Sequence, residues 1–321
     1  LARELWLAIP AGHRRAAAAR RRVATSFETE LEDMDRDDPA RRVRLGLAIG
    51  TVESLVMKLP APPRGWTSDE AAVVISLARL GLKRVQPDYR QIDQLLEAIL
   101  ARGPSAISAP GQKPDAVAVA IRDNTRQLRV LSLAGQGRLD EARKLVTSFA
   151  GRPDDLLALL DGLDQVAATT RPVDRRQLGA LQLQAAESLD QQRNTLGPAN
   201  RQRLDRCLAQ AFVAAGFPLR AVAIYERLVK AAPRKWKPRT RLAEVRLAIG
   251  TAPQTQAAIT DWRTAERLLL PGSDDWMTVR LGTLRALKQA GQVAECRQLL
   301  SVTRLLYPKK GTAAVRADLK R

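Results

Sequence analysis

The sequence predicts an all-α fold, a solenoid of stacked helical hairpins behind a divergent helical N-terminal region. Three observations predict it. Ala, Leu, Arg and Gln, all good helix formers, dominate a chain of 321 residues in which aromatics make up only 4%. No stretch alternates with period two for long, so no strand is expected. Residues 202–233 hold two apolar helix faces that a lone hairpin cannot bury. Leu204, Cys207, Leu208, Ala211, Phe212 and Ala215 recur three and four residues apart along a first helix. Gly216 ends it, because a helix terminus tolerates a left-handed residue there, and Pro218 opens the next helix, where its missing N–H costs nothing. Ala221, Tyr225, Leu228 and Ala232 lie on one face of that second helix with Val222 and Val229 beside it, and Pro233 stops it. Such a pair demands neighbours, and pairs that demand neighbours stack.

The rest of the chain follows in order. Residues 1–66 read as a helical lead-in outside the hairpin pattern. A helix from about Gly12 to Met34 starts basic (Arg14, Arg15, Arg20, Arg21, Arg22) and ends acidic (Glu28, Glu30, Glu32, Asp33, Asp35). That order opposes the helix dipole, so these charges should serve neighbours or solvent. Asp38 and Pro39 cap and open a helix to about Lys58, and LPAPPRG at 59–65 breaks the chain. Residues 67–110 read as a divergent hairpin. Thr67 and Glu70 have capping-box spacing for a helix that stops at Gly81; its partner, about Pro87 to Ala101, turns Ile92, Leu95, Leu96, Ile99 and Leu100 inward. GPSAISAPGQKP at 103–114, with three prolines, is a flexible loop and a second boundary.

Residues 111–200 read as degenerate hairpins. A helix from Asp115 to Ala134 runs into GQGRLDEARKLV, Pro153 opens a helix through Ala168, and Pro172 opens one through about Gln192. NTLGPAN at 194–200 leads into the region 201–321. There Leu242, Ala243 and Gly250 take the places of Leu208, Ala209 and Gly216, followed by a turn about three residues longer and a helix with Ala258, Trp262 and Ala265 inside. From Met277, a third copy places Gly291, Cys296, Leu300 and Pro308, and GTAAVRADLKR reads as a capping helix with a polar outer face.

The order of Leu208, Ala209, Phe212, Gly216, Ala221, Tyr225 and Pro233 resembles the tetratricopeptide repeat (TPR), which wants large, small, aromatic, small, small, aromatic and proline residues there. Leu228 departs from it, since that family prefers alanine at the equivalent place. GRLDEA at 137–142 is similar to a common turn-and-helix phrase of these repeats. The resemblance covers about 201–308 well, 123–153 moderately and the first 110 residues poorly. It implies a right-handed α–α superhelix of hairpins, with the first helix of each pair lining a concave face.

Charge says where a partner should sit. The net charge is +19, yet residues 1–200 carry 29 Lys+Arg against 25 Asp+Glu, while 201–321 carry 24 against 9. Arginine outnumbers lysine 42 to 11, which genomic base composition alone would explain, but such a bias does not explain the asymmetry. Chemistry finds little to hold. The single histidine, His13, sits in a basic stretch at a helix start, and no phosphate-cradling, nucleophile-elbow or zinc motif occurs. Asp154 with Asp155, and Asp274 with Asp275, stand at helix starts, where carboxylates favour the dipole. Cys207 and Cys296 fall on helix faces as small thiols. No cofactor or metal is expected, and no run of about 18 apolar residues is present to span a membrane. A chain beginning at Leu1 without methionine is expected to be processed, trimmed or part of something larger, and its compartment stays open.

The resemblance implies that Arg203, Arg206 and Gln210 on one first helix, Lys237, Arg241 and Glu244 on the next, and Arg285 on the third point into the concave face. Arginines there could fork onto a carboxylate or phosphate. This is similar to the basic groove by which co-chaperone TPR domains hold an acidic peptide end, although the asparagines and lysines typical there are mostly absent. A merely solvated basic face is the alternative. The densest basic run, RKWKPRTR at 234–241, sets Arg234, Lys235, Lys237 and Arg239 around Trp236, a pattern that suits a phosphate backbone with a base stacked on the ring; equally, Trp236 could cover the seam between hairpins. The reading is therefore a non-catalytic protein-binding scaffold that docks an acidic segment. Nucleic-acid or polyanion binding by the basic last third is the rival. A third reading, the helical arm of a larger assembly, leaves no mark on these residues.

Overall fold

The computed structural model describes residues 2–10, 12–35, 38–60, 65–104, 115–149, 151–169, 175–308, 310–312, 315 and 317, the side chains of 168 and 169 excepted. Among these residues every regular element is a helix, and the helices fall into two compact units, residues 1–174 and 175–321.

The first unit holds α1 (Ala2–Leu7), α2 (Ala16–Asp33), α3 (Pro39–Met57), α4 (Ser68–Leu82), α5 (Tyr89–Arg102), α6 (Ala116–Gly135), α7 (Leu139–Val146) and α8 (Pro153–Thr169). Val23, Phe27 and Leu31 of α2 bury against Ala48, Ile49, Val52 and Leu55 of α3 and Val73, Leu77 and Leu80 of α4. The reversed charges of α2 are used by its neighbours. Arg79 reaches Glu28 at 3.3 Å, Lys83 reaches Glu32 at 3.6 Å, Arg21 reaches Asp69 at 2.9 Å, and both Arg3 and Arg44 pair with Glu30. The Thr67–Glu70 capping box is formed in both directions. The partner helix begins at Tyr89, because Asp88 accepts from the Gln91 N–H at 3.0 Å and so takes the cap position.

The second unit holds α9 (Arg175–Asp190), α10 (Pro198–Ala215), α11 (Pro218–Ala231), α12 (Trp236–Ile249), α13 (Ala252–Glu266), α14 (Asp274–Gln289) and α15 (Val293–Leu306), each packed on the next. Gly216, Gly250 and Gly291 occupy equivalent corners, each in the left-handed region with φ of 90°, 76° and 74°. The core runs from Ala243 through Ala258, Ile259, Trp262 and Ala265 to Val279, Ala286 and Leu287. A second cluster joins Trp276, Met277, Leu284 and Val315, with the Tyr307 ring 5.1 Å from that of Trp276.

One expectation is corrected. The longer turn after Gly250 does not exist: Thr251 is extended and α13 begins at Ala252, with Pro253 in its first turn, where the missing N–H is harmless. The additional residues became helix. Residues 61–64 of the first predicted break, 105–114 of the proline loop, Pro172 and most of the expected capping helix lie outside the described residues.

Candidate functional site

A concentration of uncompensated positive charge lies on the α10–α12 stretch of the second unit. Gln202, Arg206 and Gln210 recur one turn apart on α10, on the side away from buried Leu204 and Leu208. Pro233 ends α11, and the Lys235 N–H donates to the Ala232 carbonyl at 3.0 Å, so the link to α12 is a tight turn. That turn brings Arg234 and Lys235 to the first turn of α12, where Trp236, Lys237, Pro238 and Arg241 follow. These residues, with buried Tyr225 of α11, line one pocket of about 640 Å³.

Its electrostatics are one-sided. Arg206, Arg234, Lys235, Lys237 and Arg241 line it, and no carboxylate does. Arg241 Nη1 donates to Glu244 Oε2 at 2.6 Å, and that hydrogen bond holds the guanidinium pKa above its usual value against the opposing effect of burial. The Lys237 ammonium lies over the Trp236 ring, 5.6 Å from its centroid. Arg206, Arg234 and Lys235 form no ion pair among the described residues. A basic cleft of about 700 Å³ in the first unit, lined by Arg41, Arg42, Lys83 and Arg84, is different. Asp38 also lines it, Lys83 pairs with Glu32, and Arg84 approaches Glu53 at 3.9 Å.

Of the residues predicted from sequence, Arg206, Gln210, Lys237 and Arg241 meet in the pocket, and so do Arg234, Lys235 and Trp236 from the rival set. Arg203, half-buried on α10, and Arg285, exposed on α14, do not line it. Arg239 turns away. It is half-buried and donates to Asp261 at 3.4 Å, beside Arg246, which also donates to Asp261 at 2.5 Å. Burial pushes the Asp261 carboxyl pKa up, against the pull of both arginines. Tyr225, Gln202 and Pro238 were not foreseen as lining residues. Only Gln202 carried a signal, its spacing of four from Arg206.

The pocket offers cations and two rings, and no His, Cys, Ser, Thr, Asp or Glu lines it. His13 is exposed in the first unit, where its Nδ1 accepts the Arg15 N–H at 3.1 Å. Cys207 is buried and Cys296 half-buried, and neither is in a disulfide. Among the described residues no group of three or more His, Cys, Asp and Glu could hold a metal ion, and no helix is long and apolar enough to cross a membrane.

No protein-family model matches the chain, and no curated protein matches it in sequence. Solved structures do match in shape. The C-terminal part of a TPR repeat-containing protein from Cytophaga hutchinsonii superposes with a TM-score of 0.52 at 12% identity, over 94% of this chain and all of that one. Two crystal structures of nearly identical TPR-like repeats, from a Podosopora anserina protein described as of kinesin light chain type, are 17% identical. Their TM-scores are 0.33 and 0.31, over 96% and 97% of this chain and 100% and 99% of theirs. The Cytophaga hutchinsonii structure, at 12% identity, shows the fold alone: an all-α stack of helical hairpins of the TPR-like kind.

Proposed function

We propose that the chain is a non-catalytic scaffold of the TPR type that binds another protein by docking an acidic segment of that partner against the basic pocket of α10 and α12. The observation that carries this reading is the set of five cations around a pocket that no carboxylate lines. The buried hairpins fix the backbones that carry these cations, so an arriving ligand orders their side chains and not the chain, which favours binding. Arg206 and Arg241 supply planar forks that match carboxylates. Charge reversal tests it. Arg206→Glu with Arg241→Glu should abolish retention on an immobilised polyglutamate peptide while the far-ultraviolet circular dichroism is unchanged. Retention that survives both reversals would contradict the assignment.

The rival reading, sequence-tolerant binding of nucleic acid, draws on the same pocket through Arg234, Lys235, Trp236 and Lys237. The Trp236 ring is already committed, packing against the Ala243–Trp262 core with Lys237 over it, which disfavours it as a stacking platform for a base. Salt discriminates the two. A nucleic acid that engages Z phosphates gives a log–log affinity slope of about −0.7Z to −0.9Z, steep for five contacts.

A further inference from the structure

The charge of the pocket exceeds what carboxylates alone can balance. Five cations line it, and Glu244 offsets one of them, Arg241, leaving a surplus of four. A pocket of about 640 Å³ is on the order of 10 Å across. An extended peptide advances about 3.3 Å per residue with alternate side chains on opposite sides, so about three residues span that width and about two side chains enter. Two carboxylates bring about −2. A phosphorylated side chain brings about −1.5 to −2 by itself, and its three acceptor oxygens can take hydrogen bonds from several donors at once. One phosphate and one carboxylate therefore bring about −2.5 to −3 and leave about +1 to +1.5 of the surplus, where two carboxylates leave about +2.

We infer that the acidic segment this pocket takes carries a phosphorylated serine or threonine beside its acidic residues, so that a kinase acting on the partner would control docking. The inference rests on the acidic-segment reading above and adds the chemical class of its ligand. Arg206, a fork without an ion pair among the described residues, suits the phosphate oxygens, and Arg241 adds the donors that its bond to Glu244 does not use, while the Arg234 fork and the Lys235 and Lys237 point charges suit flanking carboxylates. The cleft of the first unit differs in that Asp38 is part of its lining, Lys83 pairs with Glu32 and Arg84 approaches Glu53 at 3.9 Å.

The test uses the full chain and a fluorescent ten-residue peptide with four aspartates flanking a central serine, unphosphorylated and phosphorylated, followed by anisotropy at 150 mM salt. The phosphorylated form should bind at least about ten times more tightly, a preference that Arg206→Gln with Arg241→Gln removes without change in thermal midpoint. Equal affinities for the two forms would overturn the phosphate inference while leaving the acidic-segment reading in place. Failure of both peptides to bind would overturn both. A twenty-nucleotide oligouridine that binds more tightly than the phosphopeptide would also overturn the inference, in favour of nucleic acid.

Discussion

Glu266 shows how burial at a single residue contributes to the response of the second unit to pH. Its carboxylate accepts from the Thr283 hydroxyl and pairs with Arg280 at 2.9 Å, yet burial outweighs both and pushes its pKa up from the ordinary carboxylate range. The folded state then binds this proton more tightly than the unfolded state does. The associated stability is complete below the ordinary glutamate pKa and is lost as pH rises through the folded value. Glu266→Gln keeps an acceptor for both partners and removes the titration. Its stability in urea should therefore vary less than that of the parent as pH rises from 4.5, with the parent losing ground. A parent that gains on the variant over that interval would contradict the assignment. The Asp261 network behaves differently under mutation. Arg246→Ala leaves buried Asp261 with Arg239 as its remaining partner and frees Glu226, and the loss of that charged hydrogen bond costs about 1.5–3 kcal/mol, readable as a lowered urea midpoint.

At the scale of elements, close approach decides what the helices can carry. A Cβ placed on Gly179 of α9 would lie 2.4 Å from the carbonyl carbon of Ala214 in α10, a backbone contact that cannot move without shifting the helix. Gly179→Ala should destabilise the fold by about 1–3 kcal/mol through overpacking, although alanine is the better helix former. A variant as stable as the parent would mean that α9 and α10 cross less closely than described. The helices themselves were legible where local chemistry fixes them. Gly216 with Pro218 marks one corner, Thr67 with Glu70 makes a capping box, and Asp38 before Pro39 caps α3, each being decided within four residues of sequence. The start of α13 was not legible, because Pro253 is as compatible with a turn as with a first helical turn and only the extended Thr251 distinguishes them. The site was half legible for a related reason. Spacing placed Arg206 and Gln210 on one face, but the union of Arg206 with Arg234, Lys235 and Trp236 depends on the turn between α11 and α12, which no periodicity describes. Arg239 belongs to the same basic run and sits on the other side of α12, committed to Asp261.

For the whole molecule, the placement of charge separates structure from binding. Residues 1–200 nearly balance, with 29 basic against 25 acidic side chains; ion pairs such as Arg79–Glu28 and Arg129–Asp93 join helices, and Arg152–Asp123 ties the start of α8 to α6. Residues 201–321 carry a surplus of 15, and three of those cations, Arg206, Arg234 and Lys235, stand in one pocket with no ion pair among the described residues. Screening shortens the reach of such exposed charges to about 8 Å at physiological salt, so this surplus acts on a ligand seated among these residues and only weakly beyond it. The most direct measurement is hydrogen exchange followed by mass spectrometry on the full chain, with and without a saturating peptide of ten aspartates. Slowed exchange confined to segments containing 202–210, 225 and 234–241 is the predicted result. Slowing over Arg41, Arg42, Lys83 and Arg84 instead, or spread evenly along the chain, would contradict it.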